Sequence, residues 1–189
     1  MQFRNISIPI IFRWLFGAAI QPGLVLREIE AEGDEKTPDI ASALTVFNLL
    51  LVVSAYVIHL NYSSKLDINF TQGLVHILGF TFGYILKIVA STWLIYWILG
   101  RLGIKTRIPD ALLVAVCSFS PFIYMYLFSL IPYEFGEDAS KYIAAFFNIW
   151  TFVLILANLK MGYNVTLGQA LSIILSIFLA FKLIEFTLF

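Results

Sequence analysis

The apolar residues of this chain fall into five long runs, with short polar stretches between them. At about 1.5 Å per residue, each run can form a helix that crosses a bilayer. The pattern therefore predicts an all-α polytopic membrane protein with a five-helix transmembrane domain over residues 39–189. The predicted spans are 39–60, 69–99, 109–132, 139–161 and 167–189.

Residues 1–38 are amphipathic and too interrupted to span a membrane. Ser7 followed by Pro9 predicts a helix start, and Gln21-Pro22 predicts a stop and a second start. In the second helix Leu24, Val25 and Ile29 share one face, and the charged residues take the other. Short helices rich in Trp and Phe with basic edges are typical of the membrane interface. Packing against the bundle is the alternative, and both can hold at once.

The third span contains a proline near its middle, in the stretch 117–121. Pro121 has no N–H to donate to the carbonyl of Cys117, so a kink is predicted there. In hydrocarbon that carbonyl needs a local partner, and the hydroxyls of Ser118 and Ser120 are adjacent. A simple packing kink is the favoured interpretation, because membrane helices often contain proline. A hinge that faces a polar interior is the alternative.

Helix ends carry recognisable capping residues. Asn69 with Gln72, and Thr166 with Gln169, resemble capping boxes at the starts of the second and fifth spans. Gly162 is predicted as the C-terminal cap of the fourth span.

Small and polar residues follow one stripe along the second span: Gln72, His76, Gly79, Gly83, Lys87 and Ser91. A lysine in mid-membrane costs about 2.5–3.5 kcal/mol, so Lys87 is predicted to face inward, with Asn48 or Asn148 as partner. Tight helix packing at Gly79 and Gly83 explains such a stripe, and a solute path is the functional alternative. Lys182 and Glu185 are predicted to pair with each other on the last helix.

Composition narrows the function classes. The chain is 60% hydrophobic and only 13% charged, and its twelve basic and twelve acidic residues cancel, which disfavours nucleic-acid binding. One cysteine allows no disulfide framework, and two histidines make a weak metal case. No motif of a known hydrolase, metalloprotease or nucleotide-binding enzyme occurs. The sequence therefore predicts a protein that is not an enzyme and needs no cofactor, with the lipid bilayer as its main partner.

Basic residues in the loops predict the orientation. Eight of them fall on the side of the N-terminal segment and two fall on the other side. The N-terminus is therefore expected in the cytoplasm and the C-terminus outside, in the cell membrane if the source is prokaryotic. The eight are Arg4, Arg13, Arg27, Lys36, Arg101, Lys105, Arg107 and Lys160, and the two are Lys65 and Lys141.

Several short patterns resemble the Yip family of five-span membrane proteins, named for interaction with Ypt/Rab GTPases. They are Pro22 after an apolar helix, the Leu102-Gly103 loop, Ser118-x-Ser120-Pro121, Asn148-Ile149-Trp150, the run 158–162 and Gln169-Ala170. The resemblance covers most of the chain, and the family topology agrees with the orientation predicted from charge.

The resemblance implies a non-enzymatic protein tied in eukaryotes to vesicle traffic, membrane shaping and Rab-type GTPases. Only 38 residues precede the first span here, whereas eukaryotic members carry a long cytosolic extension, which argues against GTPase binding and suggests a compact prokaryotic-type member. We therefore expect a membrane-organising or trafficking-like scaffold, with other membrane proteins or further copies of itself as candidate partners. The rival is a small-solute, ion or lipid transporter or channel with a polar interior around Lys87.

Overall fold

A computed structural model describes residues 7–63, 70–128 and 137–188, with side chains for 7–60, 70–128 and 141–183. Every regular element in these ranges is a helix, so the all-α prediction is confirmed for them. The helices are α1 (Ile8–Ile20), α2 (Pro22–Ala31), α3 (Thr37–Ser63), α4 (Phe70–Arg101), α5 (Ile108–Phe119), α6 (Pro121–Phe128), α7 (Glu137–Tyr163) and α8 (Leu167–Leu188).

Four segments of the described chain are long and apolar enough to cross a membrane. They are Thr37–Leu60 in α3, Phe70–Arg101 in α4, Ile108–Phe128 in α5 with α6, and Lys141–Tyr163 in α7. The described apolar part of α8, Leu167–Leu183, is shorter than these. The fifth crossing therefore stays a prediction.

Helix α5 lies at the centre of the bundle. It packs against α3, α4 and α7, and its residues from Leu113 to Phe119 are all buried. A helix that is apolar on all sides has no face that prefers water, so neighbours can surround it completely. The remaining long helix, α8, packs on α4 and α7.

The third span is interrupted at the position where a kink was predicted, and the kink itself stays a prediction. Helix α5 ends at Phe119 and α6 begins at Pro121, with Ser120 between them. The hydroxyl of Ser120 donates to the carbonyl of Cys117 at 2.8 Å, which is the acceptor that Pro121 cannot serve. The hydroxyl of Ser118 donates to the carbonyl of Val114 at 2.7 Å.

Two of the three predicted helix caps can be compared with the structure. The capping box of α8 is confirmed, because the Thr166 N–H donates to Gln169 Oε1 at 2.9 Å and the Gln169 N–H to Thr166 Oγ1 at 3.3 Å. The prediction for Gly162 is wrong, because α7 continues through Tyr163 and Asn164 takes the left-handed conformation, with φ 51°. Asparagine tolerates that region, so it ends a helix much as glycine does. The proposed box at Asn69 lies outside the described residues.

Helices α1 and α2 form an antiparallel hairpin that turns at Gln21. Its arms are joined by an ion pair from Arg13 to Glu28 at 2.8 Å, and the Trp14 indole N–H donates to the same carboxylate at 2.9 Å. A Cβ on Gly17 would lie 3.0 Å from the Cγ2 atom of Val25, so glycine allows the arms to approach closely.

The hairpin lies along the side of the bundle. The indole N–H of Trp150 on α7 donates to the carbonyl of Ala19 at 2.8 Å. Phe12 makes an edge contact with Phe47 of α3, and Phe16 makes one with Tyr124 of α6. Packing against the bundle, given above as the alternative to an interfacial position, is therefore what the structure has.

Candidate functional site

The connections 32–36, 102–107 and 164–166 gather at one end of the bundle, which we call the basic end. Arg107 binds Asp110 through two hydrogen bonds of 2.9 and 3.0 Å and lies 3.5 Å from Asp34. The hydrogen bonds to Asp110 raise the pKa of the Arg107 guanidinium above its already high ordinary value. These contacts tie the linker after α2 to the start of α5.

A pocket of about 580 Å³ opens at the basic end, between α2, the start of α5 and the end of α7. The hydroxyl of Thr106 donates to that of Tyr163 across its wall at 3.0 Å. Three carboxylates, Glu30, Asp34 and Asp110, and two cations, Lys105 and Arg107, line it. Both signs of charge therefore meet in this pocket, and Arg107 is already held by Asp110 and Asp34.

A larger groove of about 830 Å³ runs between α4, the α5–α6 junction, α7 and α8. Most of its lining is apolar or aromatic, and the polar exceptions are Lys87, Asn148, Thr151 and Lys182. Lys87 Nζ lies 5.5 Å from the ring centre of Phe181, and Lys182 Nζ lies 5.9 Å from that of Phe178. Both are cation–π contacts, which favour an ammonium group in apolar surroundings.

The two lysines lie at similar depth. Lys87 is 14 residues before the end of α4, or about 21 Å from the basic end. Lys182 is 15 residues after the start of α8, or about 22 Å from the same end. The structure therefore brings together two cations that the sequence assigned to different roles.

The two asparagines predicted as partners of Lys87 make other hydrogen bonds, and the pairing of Lys182 with Glu185 stays a prediction. Asn148 lines the groove, but its Nδ2 donates to the carbonyl of Ala144 in its own helix at 2.8 Å. Asn48 is fully buried and accepts a hydrogen bond from the hydroxyl of Tyr84 at 2.5 Å. The side chain of Glu185, predicted to pair with Lys182, lies outside the described residues.

The tight helix packing predicted at Gly79 and Gly83 of α4 is not seen among the described residues. His76 and Gly79 are exposed, and a Cβ on Gly79 or Gly83 would meet no described heavy atom within 4 Å. At 3.6 residues per turn, the positions from Gln72 to Ser91 advance about 100° around the helix. The stripe therefore winds from the outer surface at Gln72 to the buried side at Ser91.

A second polar group, beside the helix break, was not identified from the sequence. Asn158 of α7 is completely buried and its Nδ2 donates to Ser118 Oγ at 2.8 Å. Three buried polar atoms in the described part of the chain have no protein partner: Asn48 Nδ2, Ser91 Oγ and Asn158 Oδ1. An asparagine inside an apolar span is a usable signal, because an amide in hydrocarbon needs a partner. Which residue it meets depends on how the helices are rotated.

The described residues hold no group of three or more His, Cys, Asp or Glu side chains that could bind a metal ion. Cys117 is buried within α5. What the groove and the hairpin offer instead is apolar surface, with a few cations at a defined depth.

Comparison with known proteins gives one family. The model of the Yip1 domain matches residues 16–187. No curated protein and no solved structure gives a significant match to the chain.

Proposed function

Because the chain belongs to the Yip1 domain family, we propose that it is a non-catalytic scaffold that organises the membrane in which it is embedded. The observation that carries the proposal is the α1–α2 hairpin, which packs along one half of the bundle. The role is mechanical: the hairpin enlarges the protein's cross-section in one leaflet only.

The depth of the hairpin follows from its contacts with the long helices. Ala19, next to the turn, binds Trp150, which is 13 residues or about 20 Å from the end of α7 at the basic end. The hydrocarbon core of a bilayer is about 30 Å thick, so the turn reaches roughly its midplane. Ile20 and Leu24 beside the turn are 71% and 56% exposed, and both are apolar, as contact with lipid chains requires.

Such an insertion makes the two leaflets unequal. The hairpin adds two helices to the spanning helices in the leaflet at the basic end and none in the other. In the predicted orientation that leaflet is cytoplasmic, so the membrane should bend with its cytoplasmic face convex. Copies of the chain gathered in one place would add their effects, and other membrane proteins that prefer curved membrane would collect with them.

Reconstitution into liposomes tests this role. Vesicles with the wild-type chain should be smaller and more strongly curved in electron micrographs than protein-free vesicles of the same lipid. Gly17→Leu should weaken the effect, because the added side chain meets Val25 and forces the arms apart. Gly100→Leu is the matched control, since Gly100 is also helical and a Cβ there meets no described atom within 4 Å. Equal vesicle sizes for all four samples would refute the proposal.

A transporter is the second candidate, favoured by the position of Lys87 in a groove at mid-membrane depth. A scaffold should tolerate Lys87→Met and keep or gain thermal stability, because buried charges often cost more than they return. A transporter should lose flux in the same variant while it remains folded. Solute movement by the wild type in liposomes that Lys87→Met abolishes, without loss of stability, would favour the transporter over the scaffold.

A further inference from the structure

A second pocket at the basic end, of about 440 Å³, lies where α4 turns into the connection 102–107. We call it the Arg101 pocket. We propose that it binds an anionic phospholipid, with the phosphate at Arg101 and Lys105 and an acyl chain along Trp97 and Trp93. This goes beyond the scaffold role, which depends on the α1–α2 hairpin and not on α4.

The turn after α4 places both cations in one pocket. Gly103 takes the left-handed conformation, with φ 75°, and the Ile104 N–H donates to the carbonyl of Leu99 at 3.0 Å. This is a Schellman-type helix end, which suits glycine because glycine has no Cβ. The chain turns sharply at this point, and Lys105 lines the same pocket as Arg101.

The charges of the Arg101 pocket favour an anion. None of the described residues that line it is acidic, and in the described part of the chain neither Arg101 nor Lys105 forms an ion pair. Lys105 also lines the neighbouring pocket of about 580 Å³, but the cation that carboxylates hold there is Arg107. A phosphate at Arg101 and Lys105 would therefore compete with no described carboxylate for these two cations.

The guanidinium of Arg101 is well placed for a phosphate. Its central carbon lies 5.2 Å from the ring centre of Trp97, which is a cation–π contact. A guanidinium held over an aromatic ring keeps its N–H donors in its own plane, where they can bind phosphate oxygens. The ring thus orients the arginine without using its donors.

The pocket lies at the depth of lipid headgroups. Arg101 ends one candidate span and Ile108 begins the next, so the connection between them leaves the hydrocarbon. Trp97 lies four residues, or about 6 Å, before Arg101, and tryptophan is enriched at the boundary between membrane and water. A phosphate at Arg101 and Lys105 is therefore at the level where phospholipids carry it.

An exposed aromatic surface leads from the pocket into the membrane. Trp93 and Trp97 stack with their ring centres 5.9 Å apart, and both side chains are exposed. With Arg101 they follow at intervals of four residues, so they are neighbours along one side of α4. An acyl chain on these rings gains dispersion energy even in a bilayer. A lipid uses the rings and the cations together, whereas a free phosphate uses only the cations.

The first test uses the purified full-length chain in a neutral detergent and two lipids with identical acyl chains. Phosphatidylglycerol should raise the unfolding temperature and stay bound in native mass spectra. Phosphatidylcholine, whose own cation offsets its phosphate, should do both to a much smaller extent. Soluble glycerol phosphate at the same concentration should also raise the unfolding temperature less. Equal effects of phosphatidylglycerol and either of the other two would overturn the proposal.

Charge variants locate the site. Arg101→Gln/Lys105→Gln should weaken phosphatidylglycerol binding roughly tenfold or more, because each basic residue near the membrane surface adds to the attraction for an anionic lipid. Arg27→Gln/Lys160→Gln is the matched control, since it also removes one arginine and one lysine, both exposed and outside the pocket lining. Equal binding by the two double variants would show that only the overall charge attracts the lipid, and the proposed site would be wrong.

A pair of glycine variants tests the pocket without changing any charge. A Cβ on Gly100 meets no described heavy atom within 4 Å, so Gly100→Leu can extend into the pocket that Gly100 lines and should weaken phosphatidylglycerol binding. Gly79→Leu makes the same change on the same helix, at an equally open position outside the lining, and should leave binding unchanged. Equal binding by these two variants would also overturn the proposal. Gly100→Leu should keep wild-type vesicle curvature, so failure here is distinguishable from failure of the scaffold role.

Discussion

Single residues near the helix break show what local sequence can predict. Pro121 removes one N–H, and the nearest hydroxyl, that of Ser120, replaces it at the carbonyl of Cys117. That contact spans three residues, so the order of residues along the chain is enough to foresee it. The bonds from Tyr84 to Asn48 and from Asn158 to Ser118 join residues 36 and 40 positions apart. These bonds depend on how the helices are rotated against each other, and no local sequence pattern gives that rotation.

The Tyr84–Asn48 bond should stabilise the bundle measurably. Tyr84→Phe removes the donor and leaves a buried amide oxygen without its partner, so the free energy of unfolding should fall by roughly 1 kcal/mol. Tyr96→Phe is the control, because Tyr96 is an exposed residue of the same helix. Denaturant unfolding in micelles measures both. Equal stability of the two variants would show that the bond contributes nothing.

For whole helices, the sequence predicts where some of them begin and end but not how they lie against the bundle. The ends of α1 and α2 follow from Pro9, Gln21 and Pro22, because proline and its neighbours leave few alternatives. The packing of the hairpin on the bundle could not be predicted, since an interfacial helix and one packed on a bundle share the same amphipathic pattern. The prediction of a single stripe on α4 was wrong for a related reason. Spacings of three and four residues look equivalent in sequence, but over several turns of 3.6 residues they carry the positions around the helix axis.

The break between α5 and α6 gives a prediction at this scale. Ser120→Ala should lower the free energy of unfolding by about 1–2 kcal/mol, because it orphans the buried carbonyl of Cys117. In a Pro121→Ala background the new N–H of residue 121 can serve that carbonyl, so Ser120→Ala should cost much less there. The two substitutions should therefore be strongly non-additive in a double-mutant cycle. Simple additivity would mean that Ser120 does not compensate for the proline.

For the whole molecule, the fold class and the long apolar segments could be predicted from sequence. A segment that crosses hydrocarbon must satisfy its own backbone hydrogen bonds, which requires a long apolar helix. The grouping of Lys87 with Lys182 could not be predicted, because it depends on α4 and α8 being neighbours. The orientation also rests on sequence alone, through the eight-to-two excess of basic residues at one side.

Cysteine labelling of intact cells tests that orientation. In a Cys117→Ser background an impermeant reagent should label a cysteine at position 64, in the connection predicted to lie outside. It should not label Lys105→Cys, at the basic end, until the cells are opened. Labelling of position 105 but not 64 in intact cells would reverse the topology and the direction of the expected curvature.

The central claim is that the turn of the α1–α2 hairpin lies near the middle of the bilayer. A spin label at Ile20 in the Cys117→Ser protein, reconstituted in liposomes, measures this depth through its accessibility to oxygen and to a water-soluble nickel complex. Labels at Lys36 and Ile149 mark the basic end and mid-bilayer, and both side chains are exposed. The account predicts that the Ile20 label matches Ile149, with high oxygen and low nickel accessibility. A label at Ile20 that is as accessible to nickel as the one at Lys36 would place the turn at the membrane surface and contradict it.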